Sequence, residues 1–120
     1  MSSVIPPEIS TDRGFTIVAL GPVYEQLDET RLDQVKDSLM AAVEKANPPK
    51  VIIDLSHTKF FGSSFIEVLF RMWNRMHTRP DGRFGIVGLS PYCAEVLKIT
   101  HLDSLWKTFP TREEAIKGLS

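Results

Sequence analysis

The chain has 120 residues, 42% of them hydrophobic and 24% charged, a composition that suits one soluble domain of ordinary size with a packed core. Its 14 basic and 15 acidic residues leave a formal net charge of −1, without the basic excess of a nucleic-acid binder. The one cysteine, Cys93, excludes an intrachain disulfide and fits a reducing cytoplasm, and no run approaches the roughly 20 apolar residues that span a bilayer.

In chain order, the opening "MSSVIPPEIS" lacks the basic-then-apolar pattern of a signal peptide, and Val4 and Ile5 are expected to start a short edge strand limited by Pro6 and Pro7. "GFTIVAL" (14–20) reads as a strand, broken by Gly21 and Pro22. From Thr30 the spacing of Leu32, Val35, Leu39, Ala42, Val43 and Ala46 predicts a helix, which "NPP" (47–49) stops. "KVIIDL" (50–55) is a nearly continuous apolar run, typical of a strand covered on both faces.

"SHTKFFG" then reads as a loop, followed by a helix from about Ser64 to His77. Ile66, Leu69, Phe70 and Trp73 are expected to form its apolar face, extended by Met72 and Met76. Glu67 and Arg71 stand in favourable i,i+4 order. "RPDG" (79–82) is a turn and "RFGIVGL" (83–89) a strand. "SPYCAEVLKI" (90–99) predicts a helix with Ser90 as N-cap, Pro91 at its first position and Cys93 in the core. A short strand near 105–109 and a closing helix capped by Thr111 complete the chain. Strands alternating with helices imply an α/β fold with a largely parallel sheet.

The chemistry-bearing stretch is "FFGSSFIEVLF" (60–70), where two serines separate two apolar runs. Nucleophile, helix cap and switch are three readings of the pair. "GSSFI" puts Ser64 where a nucleophile elbow would, but Ile66 replaces the glycine that lets that turn close. Of the three histidines only His101 follows at a workable distance. No metal-ligand spacing joins the histidines and Cys93, and "GRFGIVG" (82–88) opens a strand instead of a helix, unlike a phosphate loop. Arg71, Arg75 and Arg79 recur at four-residue steps, either as a solvated face or as anion contacts. Ser64 and Glu67 match the S-x-x-E capping box, which frees Ser63 just ahead of the helix. A phosphate of about −1.5 to −2 charge on Ser63 would sit at the positive end of the helix dipole with little strain. It would still repel a partner docked over the junction.

"VIIDLSHTKFFGSSFIEVLFRM" resembles the core motif of STAS domains, the family of bacterial anti-sigma factor antagonists. There a strand ending in D-L-S leads through an apolar-aromatic loop to D-S-S-G and a helix. "GRFGIVGLSPYCAEVLKITHLDSLWKTFPTREEAI" is similar to the family's later strand, S-P helix start and closing helix. The resemblance spans nearly all of residues 1–120. It implies a single STAS-like domain, with a mixed, mostly parallel sheet of four to five strands flanked by about four helices. It implies no catalytic residues, no cofactor and no metal. The implied partners are an anti-sigma factor that is also a serine kinase, and a cognate phosphatase. The phosphoacceptor serine matches Ser63, with Ser64 as second choice, and the implied partner-binding set is Asp54, Ser56, Gly62, Ser63, Ser64 and Phe65. Gly62 replaces the family's aspartate and Phe65 its glycine. These departures favour an alternative, a STAS interaction domain without a phosphorylation cycle in a stress-sensing, signalling or transport-associated assembly.

Overall fold

The computed structural model describes residues 5–120. Its main sheet begins with β1 (Glu8–Asp12) and β2 (Phe15–Ala19), an antiparallel hairpin closed by Arg13 and Gly14, both at positive φ. That pair of left-handed residues matches the twist of a two-residue hairpin. A 3-10 turn (Pro22–Tyr24) and the short β3 (Gln26–Leu27) lead into α1 (Glu29–Lys45). Then come β4 (Lys50–Asp54), the two-residue β5 (Phe60–Phe61) and α2 (Ser63–His77). The chain ends with β6 (Arg83–Val87), α3 (Pro91–Ile99), a 3-10 turn (Leu102–Ser104), β7 (Lys107–Phe109) and α4 (Arg112–Leu119).

The five-stranded sheet runs β1-β2-β4-β6-β7, parallel apart from the β1–β2 pair, and β3 pairs with β5 separately. The expected mixed, mostly parallel sheet with four helices is therefore present. Alternation along the strands divides the core. Val18, Val51, Ile53 and Ile86 pack toward α1, α2 and α3, whereas Ile17, Ile52 and Val87 pack toward α4. Both faces of β4 are covered, which is why its sequence shows no polar alternation.

Three expectations need correction. The first strand lies at Glu8–Asp12; Val4 falls outside the described residues and Ile5 precedes the strand. All five β1 side chains are exposed, so no burial pattern marked it. Helix α2 buries Phe65, Val68, Leu69, Met72 and Met76, while Ile66 and Trp73 are half-buried and Phe70 is exposed. The apolar arc of this helix is wider than its contact with the sheet and α1, and spacing alone did not show which edge turns inward. Phe70 packs edge-on against Trp106 and Trp73 stacks on His77. Finally, the arginine row divides: Arg71 and Arg75 are exposed, as a solvated face requires, and half-buried Arg79 turns inward. Arg75 pairs with Glu44, and Arg79 donates to the carbonyls of Val43 and Ala46, satisfying the C-terminus of α1.

Candidate functional site

The loop from Ser56 to Phe61 delivers the two serines, and it is held at several points. Buried Thr58 donates from Oγ1 to the Tyr24 carbonyl at 3.0 Å, and the amides of Lys59 and Phe60 both donate to the Glu25 carbonyl. Ser90 does two jobs. Its hydroxyl accepts from the Cys93 amide as the N-cap of α3 and donates to the Lys59 carbonyl at 3.0 Å. The β3–β5 pair fixes the last two residues before Gly62.

Helix α2 starts two residues earlier than its capping pattern suggested. Gly62 is the N-cap, with extended backbone, and its carbonyl accepts from the amides of Phe65 and Ile66. Ser63 and Ser64 are therefore the first two helical residues, and no side chain caps the helix. The expected Ser64–Glu67 box does not form, because Ser64 is already inside the first turn. The early amides of that turn have no partner within the helix and present partial positive charge.

Ser63 is exposed, and its hydroxyl makes no hydrogen bond among the described residues. Ser64 is half-buried and lines a groove between α1 and α2 with Glu29, Asp33, Lys36, Glu67 and Arg71. No histidine lines that groove, and Ser64 makes no side-chain hydrogen bond to any of the groove's carboxylates or to Lys36 among the described residues. Phe65 is fully buried against Phe61, with ring centroids 5.3 Å apart. Its ring packs inward, so of the implied partner-binding set Phe65 is not at the surface. Two aromatics that the motif did not single out stand at the surface instead. Phe60 and Tyr92 meet next to the start of α2 with ring centroids 5.4 Å apart and planes tilted by 35°, and both are exposed. In the sequence, Phe60 could not be told from its buried neighbour Phe61.

Asp54 and Ser56 form a second cluster at the same end of the sheet, on the face covered by α4. Asp54 Oδ1 accepts from the amide and hydroxyl of Ser56 at 2.9 and 2.5 Å, and Oδ2 accepts from Arg112 Nε at 2.7 Å. Burial pushes the Asp54 carboxyl up, but the Ser56 hydrogen bonds and the Arg112 guanidinium more than offset it, so the carboxyl lies below its ordinary value. Gly88, at positive φ, makes room for this knot: a Cβ there would lie 2.3 Å from Ser56 Oγ. The structure thus puts Ser63 and Ser64 together on the α1–α2 layer, and ties Asp54 and Ser56 to α4 on the other. Sequence spacing gave no sign of Arg112, which lies 58 residues from Asp54.

A hydrogen-bonded loop that presents an exposed serine at a helix start, beside exposed aromatics, sits here on an α/β domain with a mixed sheet. The chain belongs to the STAS domain family, whose model matches residues 7–115. It is similar to an anti-sigma-factor antagonist (STAS) domain protein from Planctomyces limnophilus, with 37% identity and a TM-score of 0.91 over 96% of this chain and 98% of that one. An anti-sigma factor antagonist from Mycobacterium paratuberculosis matches with 23% identity and a TM-score of 0.80, over 94% of this chain and 92% of that one. The Bacillus cell fate determinant SpoIIAA in its phosphorylated form matches with 19% identity and a TM-score of 0.64, over 95% and 99% of the two chains. At those identities the last two show the shared fold alone. A search of curated protein sequences finds no match. Among the described residues no helix is long and apolar enough to cross a membrane.

Proposed function

We infer that this chain is a regulatory protein-binding module of the anti-sigma factor antagonist kind, working by docking and not by catalysis, in the cytoplasm. Its partner is an anti-sigma factor that is also a serine kinase, and phosphorylation of Ser63 controls the docking. A cognate phosphatase restores the unmodified serine. The observation that carries this reading is the placement of Ser63: exposed, first in α2, and free of internal hydrogen bonds. A phosphate there meets the orphan amides of the first turn, so the fold tolerates it. The same phosphate adds about −1.5 to −2 charge to the middle of a docking face. Like charges brought together at an interface cost several kcal/mol, and each ~1.4 kcal/mol is tenfold in affinity. The similarity to an antagonist from Planctomyces limnophilus, and to the fold of a protein that exists in a phosphorylated form, supports the same reading.

The direct test is incubation with the cognate serine kinase and ATP, followed by intact mass. The reading expects one added phosphate on the wild type and none on Ser63→Ala. An unmodified wild type, or a fully modified Ser63→Ala, defeats it.

A second reading, an interaction domain without a phosphorylation cycle, is favoured by one observation. Gly62 caps α2 without a side chain, so no carboxylate stands beside Ser63 to orient it or to be recognised by a kinase. Under that reading Ser63→Asp leaves partner affinity unchanged within about twofold.

A further inference from the structure

At the far end of α2, about 20 Å from Ser63 by helix rise, a cavity of about 170 Å³ opens between α2 and the first residues of β6 and β7. Its walls differ from those of the grooves beside Ser64 and Asp54. Those grooves include carboxylates, whereas no Asp or Glu side chain lines this one. Two permanent cations do, Arg83 and Lys107, in a chain whose net charge is −1. Among the described residues neither takes part in an ion pair.

Arg83 is also held in place. Its Nε donates to the Leu119 carbonyl at 3.1 Å and its Nη1 to the Gly82 carbonyl at 3.0 Å. Leu119 ends α4, so Arg83 meets the negative end of that helix dipole much as Arg79 does at α1; among the described residues no carboxylate pairs with it, and Nη2 is left over for an acceptor. Aromatic side chains share the lining. Trp73 lies half-buried and stacked on His77, with ring centroids 4.6 Å apart and planes within 17°, and the largely buried Phe84 also lines the cavity. The stack limits how far the indole can swing.

A concavity that sets aromatic side chains beside a few fixed polar groups can take a small molecule, and here polar groups make up the larger share of the lining. Its volume is below the roughly 300 Å³ at which drug-sized ligands begin, so it suits a single ring. We propose that this cavity binds a small aromatic carboxylate, with the ring against Trp73 and Phe84 and the carboxylate on Arg83 and Lys107. Guanidinium and carboxylate match in charge and geometry, which sets this class apart from neutral rings. The site is independent of the docking face and does not rest on the role of Ser63.

The test is a titration of the whole chain with sodium benzoate, followed by amide and indole N–H shifts in two-dimensional NMR at constant ionic strength. The proposal expects saturable shifts centred on Trp73, Arg83 and Lys107, with half-saturation at or below about 1 mM. Arg83→Gln and Lys107→Gln should each weaken binding at least about fivefold. The Lys107 variant keeps the test decisive if losing the Leu119 contact disturbs α4. Absence of saturation up to about 10 mM, or equal affinity in both folded variants, overturns the proposal. Inorganic phosphate binding as tightly as benzoate overturns the aromatic assignment, as does benzyl alcohol binding as tightly for the carboxylate.

Discussion

Arg112, in the first turn of α4, donates from Nε to Asp54 Oδ2 at 2.7 Å and so ties the helix on one face of the sheet to the end of its central strand. Asp54 is nearly buried and its other oxygen serves Ser56, so the pair closes a small network at the edge from which the loop to Ser63 departs. Arg112 stays partly exposed, and solvent screening limits its share. Asp54→Ala is expected to cost about 1–3 kcal/mol, because it also strands the Ser56 amide, and Arg112→Ala about 1 kcal/mol or less. Urea midpoints of the two variants check the order; a larger loss for Arg112→Ala would contradict it.

The same network gives a pH signature. The Asp54 carboxyl is held below its ordinary value in the fold. Its contribution is therefore fully present above the unfolded carboxyl pKa of about 4, and is lost as pH falls through the lowered folded value. Asp54→Asn should lie below the wild type in stability near neutral pH and converge on it in acid. Stability curves that stay parallel from about pH 7 to pH 2.5 would rule this out.

Gly62 offers a gain. Its φ of −104° is open to any residue, and a Cβ there meets nothing within 4 Å. Gly62→Asp supplies a capping oxygen, a charge at the positive end of α2 and a stiffer unfolded chain. The expected stabilisation is about 0.5–1.5 kcal/mol, read as a rise in melting temperature. A lower melting temperature would mean that Gly62 is held by a constraint other than its own backbone.

The two serines and the true caps separate cleanly. Ser63→Ala and Ser64→Ala remove no capping bond and should change stability by less than about 0.5 kcal/mol. Ser90→Ala removes both the α3 cap and the tie to the Lys59 carbonyl, and should cost about 1–2 kcal/mol. A loss at Ser64 as large as that at Ser90 would restore the capping box.

Phe65 is core. Phe65→Ala should cost about 3–5 kcal/mol through the cavity it leaves against Phe61. Phe60→Ala, which removes an exposed ring, should cost far less. Comparable losses in thermal unfolding would place both rings in the core.

What the sequence revealed and what it hid follow the same physics. The strands at 50–54 and 83–87 were legible because both faces are buried, which leaves an unbroken apolar run. The Ser90 and Thr111 caps were legible because each is a local event within three residues. Strand β1 was not, since none of its side chains is buried and only its backbone commits it to β2. Ser64 with Glu67 gave a false cap because the pattern fits two registers of the helix start, and only the path of the chain through Gly62 chooses between them. The Asp54–Arg112 contact depends on α4 folding back over the sheet, which no local spacing encodes. Sequence did locate the serine pair at a strand-to-helix junction and singled out Ser63 as the freer hydroxyl, by way of a cap that does not form.

The proposed switch turns on the Ser63 hydroxyl. Calorimetric titration of the cognate anti-sigma factor against the wild type, Ser63→Asp and Ser64→Ala tests it most directly. A loss of affinity of at least about tenfold for Ser63→Asp, with Ser64→Ala close to the wild type, is the result expected. Equal affinity for all three chains would contradict a switch at Ser63.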